Sequence, residues 1–239
     1  MPSDRDAQAL RTTEGRTFEV IVARVLNELL ADDDICVVRA KGSSLKELSV
    51  SDADLYSIMD FTRIPMKRIC DQSQLPDYPD LDLFALCRSY GRAGFSYRLL
   101  AIINCKVSFH ARHTETAFWG LLTRLTSNIP FVVVTEDRDI YKPKSSELGR
   151  SCSESTATRR ILESFSDRVY LVSKFRGEDD PALSACIVTA KRGASVYPVF
   201  DNPKIPNHTQ YCRSVRPIDD LPADLRRWRV DIVGGSSDV

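Results

Sequence analysis

The sequence lacks the cysteine spacing of a zinc ribbon or a disulfide framework. Its seven cysteines are an odd number, no two of them form a C-x-x-C pair, and several lie inside apolar runs. We therefore expect reduced, buried cysteines. No apolar run approaches the roughly 20 residues of a membrane span, and the polar N-terminal residues lack the apolar core of a signal peptide. These absences predict a soluble, intracellular protein.

The sequence also has no G-x-x-x-x-G-K-[ST] loop and no nucleophile elbow among its serines, so NTP hydrolysis and serine-based catalysis are not expected. The sequence has no formal net charge, because 33 Lys and Arg residues balance 33 Asp and Glu residues. A local basic surface remains compatible with this balance. The candidates are Arg159–Arg160 and Arg226–Arg229, for which solvated helix faces are an equally good interpretation.

What is present is an ordinary globular composition, with 43% apolar residues in 239, and no linker that divides the chain. We expect one domain over residues 1–239, with a core at about 14–175 and residues 176–239 as a subdomain or extension. Hydrophobic periodicity predicts the following order. The elements are helix 14–30, strand Ile35–Val38, helix 51–62, strands Asp82–Arg88 and Phe95–Val107 around a two-glycine turn, helix 114–127, strand 131–134, helix 154–165, strand Arg168–Val172, and weaker strands Ala185–Ala190 and Ser195–Phe200.

This order predicts an α/β fold with a mixed sheet flanked by helices. Helix 114–127 carries large apolar residues at helical spacing on one face, and we expect Phe118 and Trp119 to lie in the core beneath it. The members of that face are Phe118, Leu121, Leu122 and Leu125.

Polar side chains converge at the open end of the predicted hairpin. Alternation along a strand places Asp80 with Asp82 on one face, and Asn104 with Lys106 on one face, while Cys105 points into the core. In an antiparallel hairpin the start of the first strand lies beside the end of the second. We therefore expect the side chains of Asp82 and Lys106 to meet.

Taken singly, each of these residues has an ordinary structural interpretation. An acidic pair before a strand is usually a solvated entrance, and a lysine at a strand end usually extends along apolar surface. Together, acids and a lysine at one sheet end are the groups that metal-dependent phosphodiester hydrolysis needs. Carboxylates hold a hard cation, and a lysine orients the nucleophile and stabilises negative charge.

The segment resembles the PD-(D/E)xK nuclease superfamily, and in particular its type II restriction endonucleases. Pro79-Asp80-Leu81-Asp82 matches the PD element, and Asn104-Cys105-Lys106 matches the x-x-K element. The resemblance implies a restriction-endonuclease-like fold, Mg²⁺ as cofactor, and cleavage of double-stranded DNA within a short palindromic site. It also implies a homodimer in the prokaryotic cytoplasm, a cognate DNA methyltransferase encoded nearby, and a DNA-binding or dimerisation role for residues 176–239.

One position departs from the family pattern, because Asn104 stands where an acid is usual. An amide oxygen can ligate a metal but brings no charge. Either Asn104 serves directly, or the second acid has moved to Glu115 on the next helix or to Glu19 on the first helix. We rank Asn104 and Glu115 close together and Glu19 behind them.

The resemblance implies three sets of site residues. The catalytic set is Asp82, Asn104, Lys106 and Glu115. The metal-binding set is Asp82, Asn104, Asp80 and Glu19. The DNA-binding set is Arg112, His113, His110 and Ser108.

Two alternatives stay open at this point. One is another nuclease of the same fold, such as a repair, junction-resolving or nicking enzyme. The other is a catalytically inactive DNA-binding module. A zinc site on His110 and His113 has low weight, because no third ligand appears at matching spacing.

Overall fold

The computed structural model describes a mixed α/β architecture. The described residues are 4–48, 50–60, 81–91, 94–109, 113–137, 147–149, 155–172 and 214–234. Their elements are α1 (Asp4–Leu29), β1 (Ile35–Arg39), α2 (Gly42–Glu47), α3 (Asp52–Asp60), β2 (Leu83–Gly91), β3 (Gly94–Lys106), α4 (His113–Thr126), β4 (Phe131–Thr135), α5 (Ala157–Phe165), β5 (Arg168–Leu171), β6 (Val215–Pro217) and, after a 3-10 turn at Ile218–Asp220, α6 (Leu221–Gly234).

Among the described residues, the strands form one six-stranded sheet in the order β1-β2-β3-β4-β5-β6. The pairs β1/β2 and β2/β3 are antiparallel, and the pairs from β3 to β6 are parallel. The N-terminal end of β2 therefore lies at the same sheet edge as the C-terminal ends of the other strands. We call this edge the carboxyl edge, and it is where ligands bind in open α/β sheets.

The sheet is buried on both faces. Side chains from α1 and α6, such as Val22 and Leu225, pack on one face against Ile103 and Val132. The other face is covered from α3 and α5, with Ile58 and Leu162 among the buried contacts. Every position of the short strand β4 is buried. Its largely apolar sequence agrees with this, because a strand covered on both faces needs apolar side chains.

The elements predicted from residue 14 to 172 are found in the predicted order, with shifts at the ends, and the short helix α2 is an additional element that was not predicted. Helix α1 begins ten residues earlier than predicted, at Asp4. That segment lacks an apolar period but contains good helix formers, which periodicity alone does not register. The hairpin strands extend to Gly91 and from Gly94, so Ser89 and Tyr90 belong to β2 and not to the turn. The weaker strands predicted after residue 175 lie outside the described residues.

The predicted core face of α4 is wrong. Phe118, Leu121 and Leu125 are 47%, 39% and 72% exposed, whereas Trp119 is partly buried. The residues that face inward are instead small, namely Thr116, Ala117, Gly120 and Thr123. A Cβ at Gly120 would overlap the backbone carbonyl oxygen of Phe165 and meet Phe131 at 3.1 Å. Helix α4 therefore lies too close to α5 and β4 for a large side chain to fit between them.

The free side of β1 is covered by α1. The Asn27 side chain accepts a hydrogen bond from the backbone N–H of Val37 at 2.7 Å and donates one to the carbonyl oxygen of Val37 at 2.8 Å. One amide side chain thus satisfies both backbone groups that a further strand would use.

The two arginine-rich stretches differ in burial. Arg159 is fully buried beside Glu163, whereas its neighbour Arg160 is exposed. In α6, Arg226 bonds Asp33 at 2.8 Å and Arg229 bonds Asp34 at 3.2 Å, so both join the last helix to the acidic turn after α1 while Arg226 stays exposed. Trp228 packs on the core.

No helix in the described part of the chain combines the length and the apolar character needed to cross a membrane.

Candidate active site

Asp82 and Lys106 lie together at the carboxyl edge. Leu83 pairs with Ile103 in the β2/β3 register, which places Asp82, the residue before Leu83, beside the last residues of β3. Lys106 Nζ is 3.3 Å from Asp82 Oδ2, and the same oxygen accepts the backbone N–H of Cys105 at 2.7 Å. The predicted meeting of these two side chains is confirmed. Asp82 is 12% exposed and Lys106 is 22% exposed, so both side chains are mostly buried and keep a small contact with solvent.

Glu19 is the acid that the structure brings to this pair. It projects from α1, and its Oε2 lies 3.3 Å from Nη2 of Arg39 at the end of β1. Burial raises the pKa of Glu19, and the negative charge of Asp82 raises it further, while Arg39 and Lys106 act in the opposite direction. Glu19 is therefore within electrostatic reach of both Asp82 and Lys106.

Asn104 lies behind this group, beneath α4. It is 1% exposed, and its Oδ1 accepts a hydrogen bond from the Thr116 hydroxyl at 3.4 Å. Its Nδ2 is buried and has no hydrogen-bond partner among the described residues. The amide is thus enclosed by α4, in a position that suits packing beneath the helix more directly than ligation of an ion at the open side.

Glu115 stands apart from the pair. It lies in the first turn of α4 with an exposed side chain, and within the described part of the chain no hydrogen bond or ion pair involves it. The ranking made from the sequence therefore changes. Proximity to Asp82 and Lys106 favours Glu19 over Glu115 as the second acid.

Three predicted site residues are not among the described residues. They are the metal-ligand candidate Asp80 and the DNA-binding candidates His110 and Arg112. His113 begins α4, with its Nδ1 3.5 Å from the hydroxyl of Thr158. Among the residues that the structure describes, no three His, Cys, Asp or Glu side chains are arranged to hold a metal ion. The predicted pair His110 and His113 lies partly outside these residues.

Ser108 is engaged within the molecule. Its hydroxyl donates to Oε1 of Glu147 at 3.0 Å, and the backbone N–H of Phe109 donates to Oε2 of Glu147 at 2.7 Å. Sequence reasoning did not select Glu147 or Arg39. Arg39 directly follows the predicted strand Ile35–Val38, which was a usable signal, whereas Glu147 lies in a polar stretch that carries none.

The oxygen donors at the carboxyl edge fit a hard divalent cation. Asp82 and Glu19 are two carboxylates whose charges oppose one another at a partly buried position, and a cation between them would relieve this repulsion. Only two such acids lie here among the described residues, fewer than a complete ligand set, so water and phosphate oxygens would supply the rest.

Family comparison agrees with this geometry. The model of a protein family described as BsaWI restriction endonuclease type 2 matches residues 61–187, which is more than half of the chain. The chain belongs to the BsaWI restriction endonuclease family. The resemblance to type II restriction endonucleases predicted from the PD and x-x-K elements is confirmed. Membership places the chain among site-specific deoxyribonucleases, and restriction endonucleases of this family generally use a divalent metal ion.

One solved structure supports the fold, and two others are more weakly similar. A pre-specific BsaWI–DNA complex is similar with a TM-score of 0.50 and 11% identity, covering 95% of this chain and 65% of that one. A specific AgeI–DNA complex gives a TM-score of 0.49 and 18% identity, covering 79% and 70%. A PspGI–substrate DNA complex gives 0.39 and 15%, covering 94% and 64%. The chain thus spans about two thirds of the length of these three proteins. No curated protein matches it.

Proposed function

We propose that this chain is a Mg²⁺-dependent restriction endonuclease that cuts both strands of DNA within a short palindromic site. The observation that carries the proposal is the contact between Asp82 and Lys106 at the carboxyl edge, with Glu19 beside it. Two acids and a lysine at an accessible sheet edge are what phosphodiester hydrolysis requires.

Asp82 and Glu19 would hold the Mg²⁺ ion, with Asp80, two residues before Asp82 in sequence, as a further candidate. The ion, when bound, offsets phosphate charge and makes a water molecule more acidic. Lys106 orients the attacking water and stabilises the negative charge that develops on the phosphate. The P–O3′ bond breaks by in-line attack, as the family resemblance implies. Asn104 supports α4 from below and is a weaker candidate for direct ligation.

Arg112 and His113 would read base edges in the major groove, with His110 near the phosphates. An arginine can bond guanine O6 and N7 together, which makes this position a determinant of sequence preference. The single donor of Ser108 is used by Glu147, so a direct Ser108–DNA bond would require it to exchange partners.

A homodimer follows from the two-fold symmetry of a palindrome. The exposed apolar face of α4 supports this proposal. Phe118, Leu121 and Leu125 recur at a spacing of three and four residues, so they form one stripe along the helix. A second copy of the chain, packed through the same stripe across a two-fold axis, would bury it.

Such an enzyme also requires protection of the host's own sites, which a methyltransferase encoded nearby would provide.

The test of this function uses a mixed-sequence plasmid and Mg²⁺. The wild type is expected to give discrete double-strand fragments, whereas Asp82→Ala and Lys106→Ala are expected to lose roughly a hundredfold or more in rate. Sequencing the fragment ends identifies the site and its symmetry.

Glu28→Ala is the matched control, because it removes an ion pair with Arg24 elsewhere on the surface of α1. It should cut at the wild-type rate. Wild-type activity in either the Asp82 or the Lys106 variant would refute the role of that residue. Nicked circles without fragments would indicate a nicking enzyme.

A further inference from the structure

The carboxylate of Glu147 contacts Ser108 and Phe109, which follow Lys106 at the end of β3. One of its oxygens accepts the Ser108 hydroxyl at 3.0 Å, and the other accepts the Phe109 backbone N–H at 2.7 Å. We call these two hydrogen bonds the Glu147 bridge. Bonds to an ionised acceptor are about twice as strong as bonds between neutral groups. The bridge therefore fixes the second and third residues after the candidate catalytic lysine.

Glu147 is in turn attached to the end of β4. The backbone N–H of Leu148 donates to Oδ1 of Asp137 at 2.9 Å, and the N–H of Asp137 donates to the Thr135 hydroxyl at 3.1 Å. Asp137 has a φ of 53°, a left-handed conformation that costs a non-glycine residue energy and that these bonds maintain. Thr135 is the sheet partner of Lys106.

These contacts close a ring. From Lys106 the ring crosses the sheet to Thr135, continues through Asp137 and Leu148 to Glu147, and returns through the bridge to Phe109. Phe109 and Leu148 are both fully buried, so apolar packing holds the ring together along with its hydrogen bonds.

Helix α5 is connected to the same ring. Thr156, which caps α5, donates from its hydroxyl to the carbonyl oxygen of Glu147 at 2.5 Å. Its backbone N–H donates to the carbonyl oxygen of Leu148 at 3.3 Å. Thr158 in the first turn of α5 reaches His113 at the start of α4. Ser108 and Phe109 on one side, and His113 at the start of α4 on the other, are thus each contacted by groups from elsewhere in the fold.

We propose that Glu147 is a positioning residue for sequence recognition. It holds Ser108 and Phe109, directly after the lysine that acts on the phosphate, and it is linked through α5 to His113 at the start of α4, which reads bases. This inference rests on the proposed function. Loss of the bridge is expected to disturb base reading more than cleavage chemistry, because Lys106 is still held by Asp82 and by the β3/β4 pairing.

The test compares Glu147→Ala, Glu147→Gln and the control Asp167→Ala. Asp167 Oδ2 accepts the Phe131 backbone N–H at 2.7 Å, a bond of the same kind at the opposite end of β4. The measurements are kcat/KM on the cognate site and on a site with one mismatched base pair, together with the melting temperature. Glu147→Ala is expected to reduce the ratio of the two kcat/KM values about tenfold, the effect of losing roughly one base contact.

Glu147→Gln should restore most of the ratio, because its amide can accept from Phe109 and donate to Ser108. Asp167→Ala should lower the melting temperature and leave the ratio unchanged. A wild-type ratio in Glu147→Ala, or an equal fall in the ratio in Asp167→Ala, would overturn the proposal.

A second measurement separates this inference from the proposed function. Hydrogen exchange of the Phe109 amide in DNA-free protein is expected to become at least about tenfold faster in Glu147→Ala. If the wild type cuts no DNA, the proposed function fails, and recognition by this segment fails with it. Unchanged exchange at Phe109 in an active enzyme would instead overturn the bridge alone.

Discussion

At the scale of single residues, the carboxyl edge brings two carboxyl groups, those of Glu19 and Asp82, close together at a partly buried position. Glu19 is largely buried, close to another carboxylate, and its pKa is raised as a result. A carboxyl group whose pKa is raised in the folded state stabilises the fold below its ordinary pKa and loses that contribution as pH rises. At neutral pH the ionised Glu19 therefore costs stability, which is expected of a group kept for function.

Glu19→Gln is therefore expected to raise the melting temperature of the metal-free protein at pH 7.5, by on the order of 2 °C. The difference should disappear as pH falls below the ordinary value of 4.5, where the wild-type carboxyl group is also neutral. Thermal unfolding followed by circular dichroism at both pH values measures this.

The same variant should lose DNA cleavage and the stabilisation that added Mg²⁺ gives the wild type. Glu115→Gln is the control for the competing assignment, and it should retain both. If Glu115→Gln loses cleavage and Glu19→Gln keeps it, the second acid is Glu115.

The contact between Asp82 and Lys106 could be predicted because a hairpin and the two-residue period of a strand determine it. The proximity of Glu19 to Asp82 could not be predicted, because the approach of a distant helix to a sheet edge leaves no mark in local sequence. The contact of Glu147 with Ser108 and Phe109 could not be predicted either, since it joins residues almost forty positions apart.

At the scale of elements, α4 shows where hydrophobic periodicity misleads. The stripe of large apolar residues was assigned to the core, yet the inward face consists of small residues. Periodicity gives the position of an apolar face around a helix, but it does not say whether the sheet or another surface covers that face. The close approach of α4 to α5, which Gly120 permits, decides the orientation.

Gly120→Ala should destabilise the protein by roughly 1–3 kcal/mol, because the new methyl group must displace the backbone of Phe165. Chemical denaturation measures the loss. Gly15→Ala is the matched control within α1, where a Cβ meets nothing within 4 Å. It should instead stabilise by about 0.5–1 kcal/mol, since alanine favours a helix. Equal effects of the two changes would contradict the close packing of α4.

At the scale of the whole molecule, the proposed two-fold assembly depends on the exposed stripe of α4. Leu125→Lys places a charge at its most exposed apolar position without touching the core. We expect this variant to be monomeric in light scattering at micromolar concentration and to nick DNA in place of cutting both strands.

Val230→Lys, on α6, is a suitable control, because Val230 is an exposed apolar residue outside the α4 stripe, at 67% exposure. It should remain dimeric. A monomeric wild type, or a dimer that survives Leu125→Lys unchanged, would remove α4 from the interface.

The covered side of β1 limits how the molecule can associate. Both backbone groups of Val37 are already satisfied by Asn27, so an extended peptide from another chain finds no free donor or acceptor there. Recruitment of stray strands, which in concentrated protein leads toward fibres, is discouraged on that flank. Growth of the sheet by strand addition at Val37 would first require Asn27 to release both of its bonds.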